Sequence, residues 1–174
     1  HWGSPESRFP GGVLKGEYPM TRIPDSIAFF LQGRRLAVAG VSRDRAQPAN
    51  AIFRRLKASG YEVFPVNPKA TEVEGEACYR DLAAVPGPID GVMIATAPGA
   101  SVEVVRQCAD LGIRRVWFHR SIGEGSVSEE AVKECAARGI ESIVGGCPLM
   151  FCEPVDFGHK CMKWWFQRKG RVPR

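Results

Sequence analysis

Two side chains of this 174-residue sequence are suited to acid–base or thiol chemistry and follow apolar runs that are typical of buried strands. His119 ends the run "IRRVWFH", where an imidazole could act as a general base or as a hydrogen-bonding group. Cys147 follows "IESIVGG" and opens the segment "CPLMFCEPVDFGHKC", which adds Cys152, His159 and Cys161. We treat His119 and Cys147 as the candidate catalytic residues.

That cysteine-rich segment also contains the donor atoms of a zinc site, because thiolate and imidazole groups both bind zinc. Its spacing, C-x4-C-x6-H-x-C, is not the usual pattern of paired ligands. Interleaved apolar residues such as Phe151 and Phe157 indicate that the segment packs on the sheet instead. We therefore expect no bound metal, buried thiols, and a surface pair formed by Asp156 and His159.

A phosphate site is the chemistry that we expect after the first apolar run, in "LAVAGVSRDRAQPANAIFRRL". This stretch predicts a strand, a loop and a helix, but it lacks the second and third glycines of a dinucleotide fingerprint. A glycine turn, a hydroxyl, arginine charge and a helix N-terminus still favour an anion. The alternative is a plain solvated connection. The loop residues in question are Gly40, Val41, Ser42 and Arg43, with Asn50 at its end.

The loop "PVNPKATEVEG" follows the second apolar run and carries a lysine where a NAD site usually has a carboxylate. Asn67, Pro68 and Lys69 come first, and no acid appears before Glu72. Lys69 therefore favours a ligand with an extra phosphate near the adenosine ribose, which fits both NADP and coenzyme A. A structural turn that ends a strand is the alternative.

The third loop, in "IATAPGAS", offers a small apolar surface with one hydroxyl. Thr96, Ala97 and Pro98 could lie against an adenine ring or a pantetheine arm. The same residues also fit the start of a helix, because proline is favoured in a first helical turn. Both interpretations stay open.

The elements that must position these loops alternate between strand and helix patterns. Strands are predicted at Leu36–Gly40, Tyr61–Val66, Asp90–Thr96, Ile113–Phe118 and Ile140–Val144. Helices are predicted at Asp25–Gln32, Pro48 to Gly60, Arg80–Val85, Val102–Leu111 and Ser128–Arg138, the last behind a capping box of Ser126 and Glu129. The order predicts an α/β, three-layer Rossmann-like fold: a five-stranded parallel doubly wound sheet plus a C-terminal extension. Ligands bind such sheets outside the carboxyl ends of the strands.

Three segments are predicted along the chain: a vector-derived or disordered segment (1–19), the domain (20–146) and an extension rich in cysteine, aromatic and basic residues (147–174). The net charge is +5, yet six basic residues and no acid follow from Lys160 onward, so the remainder sums to −1. We therefore expect neither nucleic acid nor a membrane as partner, and expect the tail to dock on its own chain or in a homodimer. No signal peptide or membrane-length run is recognisable, which predicts a cytoplasmic protein without a disulfide framework.

The segments "VAGVSRD", "GYEVFPVNP", "IATAP" and "RVWFH" together resemble the CoA-binding proteins, small bacterial and archaeal Rossmann domains. That family is related to the CoA-binding domain of the succinyl-CoA synthetase α subunit and of ADP-forming acyl-CoA synthetases. The resemblance covers roughly residues 36 to 147 and implies that CoA lies across the strand ends. The cofactor-binding residues expected from the loops and the resemblance are Gly40, Val41, Ser42, Arg43, Asn50, Asn67, Pro68, Lys69, Thr96, Ala97, Pro98 and His119.

The resemblance implies a protein that binds coenzyme A or acyl-CoA, with the thiol or acyl end near His119 and the Cys147 loop. This sequence departs from the family pattern after Trp117, where the family usually has Gln and this chain has Phe118 and His119. We recognise no catalytic apparatus beyond the candidates above. Two alternatives stay open: an NADP-dependent oxidoreductase, and a CoA- or redox-responsive regulatory protein that signals through its tail.

Overall fold

The computed structural model describes residues 24–120 and 125–152 of the chain. The strands are β1 (Arg35–Ala39), β2 (Glu62–Val66), β3 (Glu72–Val73), β4 (Glu76–Ala77), β5 (Gly91–Ile94), β6 (Arg115–Phe118) and β7 (Glu141–Val144). The helices are α1 (Asp25–Leu31), α2 (Pro48–Ala58), α3 (Pro98–Asp110) and α4 (Glu129–Ala137). Single 3₁₀ turns lie at Leu82–Ala84 and Pro148–Met150.

Five parallel strands form the main sheet in the order β2-β1-β5-β6-β7. Along the chain, the first strand, β1, lies inside the sheet, β2 pairs on one side of it, and β5 then pairs on its other side. This reversal of strand order makes a switch point between β1 and β5, which is where open α/β sheets form a ligand crevice. The predicted α/β Rossmann-like fold with its five-stranded parallel sheet is confirmed.

Alternate side chains of the strands feed two separate cores, one on each face of the sheet. Leu36, Val38 and Trp117 pack toward α1 and α2, while Ala37 and Phe118 pack toward α3 and α4. The Trp117 ring meets Phe30 edge-on at 5.5 Å, and its indole N–H donates to the Gly145 carbonyl at 2.9 Å. Because both faces are covered, the carboxyl edge of the sheet is left for ligand contacts.

Two local predictions are wrong, and one element was not predicted. Ser128, not Ser126, caps α4, because its hydroxyl accepts the Ala131 N–H at 3.0 Å. The helix predicted at 80–85 is only the 3₁₀ turn Leu82–Ala84, with Asp81 as its cap. Between β2 and that turn lies an antiparallel β3–β4 hairpin that the periodicity did not reveal.

Some predictions fall outside the described residues. These are the vector-derived segment 1–19, the Asp156–His159 pair, Cys161 and the basic aromatic tail. Within residues 24–120 and 125–152, no helix combines the length and apolar character that a membrane crossing requires.

Candidate functional site

A cleft of about 830 Å³ opens at the carboxyl ends of β1, β2 and β5. It lies at the switch point of the sheet, and three predicted loops contribute to its wall. The sequence-predicted residues that line it are Gly40, Ser42, Asn67, Pro68, Lys69, Thr96 and Ala97. The remaining lining comes mainly from Gln47, from Arg80 and Asp81, and from the α3 face of Ala100, Glu103, Val104 and Gln107.

Gly40 holds the first and third loops against each other. Its φ is +103°, and a Cβ at this position would lie 2.5 Å from the Ala95 carbonyl oxygen. Its N–H donates to the Val66 carbonyl at 2.9 Å, so it also joins the first loop to β2. Only glycine satisfies both the backbone conformation and the close approach.

Asn50 is buried and fastens the first loop from within. Its Oδ1 accepts the Ser42 N–H at 3.0 Å, and its Nδ2 donates to the Ser42 carbonyl at 2.7 Å. The amide therefore occupies both backbone groups of Ser42. The structure assigns Asn50 to holding the loop rather than to the cleft wall.

The first turn of α2 offers fewer free amides than the sequence analysis expected. Pro48 has no N–H, and the Asn50 N–H donates to the Gln47 carbonyl at 3.0 Å. The Ser42 hydroxyl is engaged with the backbone of Asp44. The Arg43 side chain is exposed, and Val41 is fully buried in the core.

Glu74, at the tip of the β3–β4 hairpin, pins the hairpin to the first loop and α2. Its side chain is 4% exposed and accepts from Asn50 Nδ2 at 2.8 Å, Arg54 Nη1 at 2.6 Å and Arg45 Nε at 3.2 Å. The Asn50 amide, then the Arg54 and Arg45 charges, hold the pKa of the Glu74 carboxyl below its ordinary value against the opposing effect of burial. Arg45, the second arginine of the first loop, is thus already paired.

The second loop is shaped by Asn67. Its Nδ2 donates to the Val41 carbonyl at 2.9 Å, and its Oδ1 accepts the Lys69 N–H at 2.9 Å. This Asx turn places the exposed Lys69 on the cleft wall directly after β2. Arg80 adds a second cation to the wall, although its Nε is paired with Asp81 Oδ2 at 3.0 Å.

A smaller chamber of about 240 Å³ adjoins the cleft, because Gly40, Gln47, Ala95, Thr96 and Ala97 line both. His119 lies in its wall beside Gly125 and Ser126. The lining residues of this chamber carry no Asp, Glu, Lys or Arg side chain in the described part of the chain.

His119 is 6% exposed, and burial lowers the pKa of its imidazole to about 4. The ring is therefore neutral near pH 7, when it offers one donor and one acceptor. Its backbone is held on both sides, by the Ile94 carbonyl at 2.9 Å and the Ser126 N–H at 2.8 Å. The position can bind an uncharged polar group but is a weak base.

Besides Val41, Arg43 and Asn50, two further predicted residues line neither the cleft nor the chamber. Pro98 is the first residue of α3 and half-buried, so it starts that helix, as one of the two interpretations held. Cys147 is 3% exposed and packs in the core beside Trp117 and Phe151, on the α1–α2 face. Within the described part of the chain, Cys147 is not among the residues that line the cleft or the chamber.

The contributions of α3 and of the segment before it were not predicted from the sequence. Ala100, Glu103, Val104 and Gln107 follow a helical i, i+3, i+4, i+7 spacing, one stripe round from the buried Val102 and Val105. The helix has a second stripe, of mixed polarity, beside the stripe that faces the core. This second stripe was the sequence signal that could have indicated the cleft-lining face of α3. Nothing in the spacing marks Arg80 or Asp81.

A family profile described as "CoA binding domain" matches residues 34–153, which include all of the cleft-lining residues. The α subunit of an ADP-forming acetate–CoA ligase II from Pyrococcus furiosus is 29% identical over 107 residues, or 61% of this chain and 23% of that subunit. The uncharacterized protein YneT of Bacillus subtilis is 28% identical over 120 residues, or 67% of this chain and 83% of YneT. This chain spans less than a quarter of the acetate–CoA ligases that it matches.

Solved structures agree with this grouping. A hypothetical protein from Pyrococcus horikoshii superposes with a TM-score of 0.65 at 29% identity, covering 71% of this chain and 84% of that one. A dinucleotide-forming acetyl-coenzyme A synthetase from Ca. Korarchaeum cryptofilum, solved with phosphate and ADP, superposes with a TM-score of 0.55 at 27% identity. That match covers 64% of this chain and 25% of the synthetase.

Proposed function

Since the chain belongs to the CoA-binding domain family, we propose that it binds coenzyme A, free or acylated, in the cleft at the carboxyl ends of β1, β2 and β5. The cleft volume of about 830 Å³ suits a ligand of this size. The adenosine and its phosphates lie along the first and second loops. The pantetheine arm passes the third loop toward His119.

The placement of Lys69 is the observation that carries the choice of ligand. Its backbone is held by Asn67 at the end of β2, so Lys69 lines the cleft at the place where a NAD site would present a carboxylate. A cation at this place favours a ribose phosphate. We assign Lys69 to the 3′-phosphate of coenzyme A.

The orientation of the ligand follows from the distribution of charge. The cleft wall is charged, with the cations Lys69 and Arg80 and the carboxylates Asp81 and Glu103, whereas the lining of the chamber at His119 is uncharged. Phosphates need charged or amide donors, and an uncharged amide or thioester does not. The thiol or acyl end therefore goes to the chamber.

We propose that this domain binds its ligand and does not itself catalyse a reaction. The candidate base His119 has a pKa of about 4, which is far from the value near 7 that general-base catalysis favours. The other candidate, Cys147, is buried away from the cleft. A cytoplasmic location and a homodimer remain predictions from the sequence.

Parallel calorimetric titrations with CoA, dephospho-CoA, NADP and NAD test the proposal. We expect CoA to bind most tightly and dephospho-CoA to bind more weakly. Lys69→Ala should weaken CoA binding by about 1–2 kcal/mol with little effect on dephospho-CoA, because the lost contact is a charge-assisted one. Lys133→Ala, at an exposed lysine on α4 paired with Glu129, is the matched control.

The same titrations decide between CoA and the oxidoreductase alternative. A preference for NADP would favour the latter, because a 2′-phosphate would also use Lys69. Equal losses for CoA and dephospho-CoA on Lys69→Ala would remove Lys69 from the 3′-phosphate. If the chain binds none of the four ligands, the proposed function is refuted.

A further inference from the structure

A chain of three groups connects the third loop to the segment that follows His119. Thr96 Oγ1 lies 3.1 Å from Ser101 Oγ on α3. Ser101 Oγ in turn lies 2.8 Å from the carbonyl oxygen of Ser126 and 3.4 Å from that of Ala97. Ser101 is fully buried, so water does not complete its hydrogen bonding.

The direction of these hydrogen bonds is fixed by counting protons. A carbonyl oxygen only accepts, and a serine hydroxyl has a single proton. Ser101 therefore donates its proton to the Ser126 carbonyl. Because it has no second proton, Thr96 must be the donor in the contact between the two hydroxyls. The Thr96 hydroxyl is left with acceptor lone pairs alone for any further partner.

Thr96 stands at the junction of the two cavities, since it lines both the cleft and the His119 chamber. We propose that Thr96 is a specificity-determining residue that accepts a hydrogen bond from an N–H group of the ligand as the ligand passes from cleft to chamber. Phosphate and carbonyl oxygens are acceptors, and a second acceptor facing Thr96 would leave both unsatisfied.

This inference rests on the proposed function and refines it. The pantetheine arm of CoA contains two amide N–H groups, which are neutral donors suited to the uncharged junction. The thiol is a weaker donor. An amide N–H of the arm is therefore the group that we assign to Thr96.

The first test compares CoA affinities of Thr96 variants by calorimetry. Thr96→Val keeps the shape and removes the acceptor, and should weaken CoA binding about tenfold. Thr96→Ser keeps the hydroxyl and should stay within about threefold of the original chain. Thr71→Val, at an exposed residue just before β3 that lines neither cavity, controls for the substitution itself.

The second test separates hydrogen-bond polarity from packing. Two CoA analogues, each with one amide N–H of the arm replaced by an ester oxygen, are titrated into the original chain, Thr96→Val and Ser101→Ala. One analogue should bind the original chain about tenfold more weakly than CoA and show no such difference with Thr96→Val. Ser101→Ala frees the Thr96 proton to point at the ester oxygen, so it should reduce the difference. Thermal unfolding confirms that each variant is folded.

The outcomes distinguish this inference from the function on which it rests. CoA binding that is the same for Thr96→Val as for Thr71→Val would overturn the role of Thr96 alone. Equal ester penalties with and without the Thr96 hydroxyl would show that the N–H group lies elsewhere and would also overturn it. Failure of the original chain to bind CoA would refute the proposed function, and this inference with it.

Discussion

Glu74 fastens the β3–β4 hairpin to the first loop and α2, and replacing its carboxylate isolates that contribution. Glu74→Gln keeps the size of the side chain and one acceptor oxygen but removes the charge. The three contacts concerned are with Asn50, Arg54 and Arg45, at 2.8, 2.6 and 3.2 Å. The variant tests whether a buried charge at the hairpin tip holds the first loop.

The expected loss follows from the exposure of each partner. Arg45 and Arg54 are 75% and 42% exposed, so water replaces much of each ion pair, which is worth at most about 1 kcal/mol. The bond from buried Asn50 to a charged oxygen contributes about 1.5–3 kcal/mol, and part of it survives with a neutral acceptor. We expect Glu74→Gln to lower the free energy of unfolding by about 1–2 kcal/mol, a fall of roughly 4 °C in Tm.

The pH dependence gives a second readout with a definite sign. The pKa of Glu74 is lower in the folded protein than its ordinary value of 4.5. Its stabilisation is therefore complete above that ordinary value and is lost as the pH falls through the folded pKa. The difference between the original chain and Glu74→Gln should shrink in acid.

Urea denaturation at about pH 7 and about pH 3 measures both the loss in the free energy of unfolding and its dependence on pH. Glu76→Gln is the matched control, because Glu76 lies on the same hairpin but forms its ion pair with Lys57 at the surface. The control should lose at most about 0.5 kcal/mol. The reasoning is refuted if Glu74→Gln costs no more than Glu76→Gln, or if its cost is the same in acid.

Two further predictions concern backbone contacts. Gly40→Ala should destabilise the fold by about 2–3 kcal/mol in thermal unfolding, because the new Cβ would meet the Ala95 carbonyl. Gly60→Ala, at a φ of +89° with open space around it, should cost only the strain of about 1 kcal/mol, and equal effects would contradict the steric argument. Asp90→Asn should flatten the acid limb of the stability–pH curve, since the backbone N–H groups of Arg35 and Arg34 lower the pKa of Asp90. An unchanged limb in urea titrations would remove Asp90 from the acid transition.

The strands and their order along the chain were predictable because most main-sheet strands are short apolar runs covered on both faces. The hairpin was not, since β3 and β4 have two residues each and such elements leave no periodic trace. Glu74 resembles any solvated acid in the sequence. Its burial depends on the φ of +53° at the hairpin tip, which no local pattern indicated.

Seven of the predicted loop residues line the cleft at the carboxyl edge, but the direction of each side chain depends on backbone dihedrals that the spacing does not reveal. Gly145 and Gly146 both have positive φ and turn the chain under the sheet, which carries Cys147 into the core. The polar residue Asn50 looked like a ligand contact, yet it satisfies the backbone of Ser42. A polar residue in a binding loop can serve the loop as readily as the ligand.

The β3–β4 hairpin lies within an excursion of the chain whose two ends both reach the cleft, Asn67–Lys69 on one side and Arg80–Asp81 on the other. The ends are joined by hydrogen bonds from Asn67 to Tyr79 and from Tyr79 to Pro65. A ligand that contacts both ends therefore depends on the hydrogen bonds that keep these ends together. Substitutions at the hairpin tip can therefore change ligand affinity without contacting the ligand.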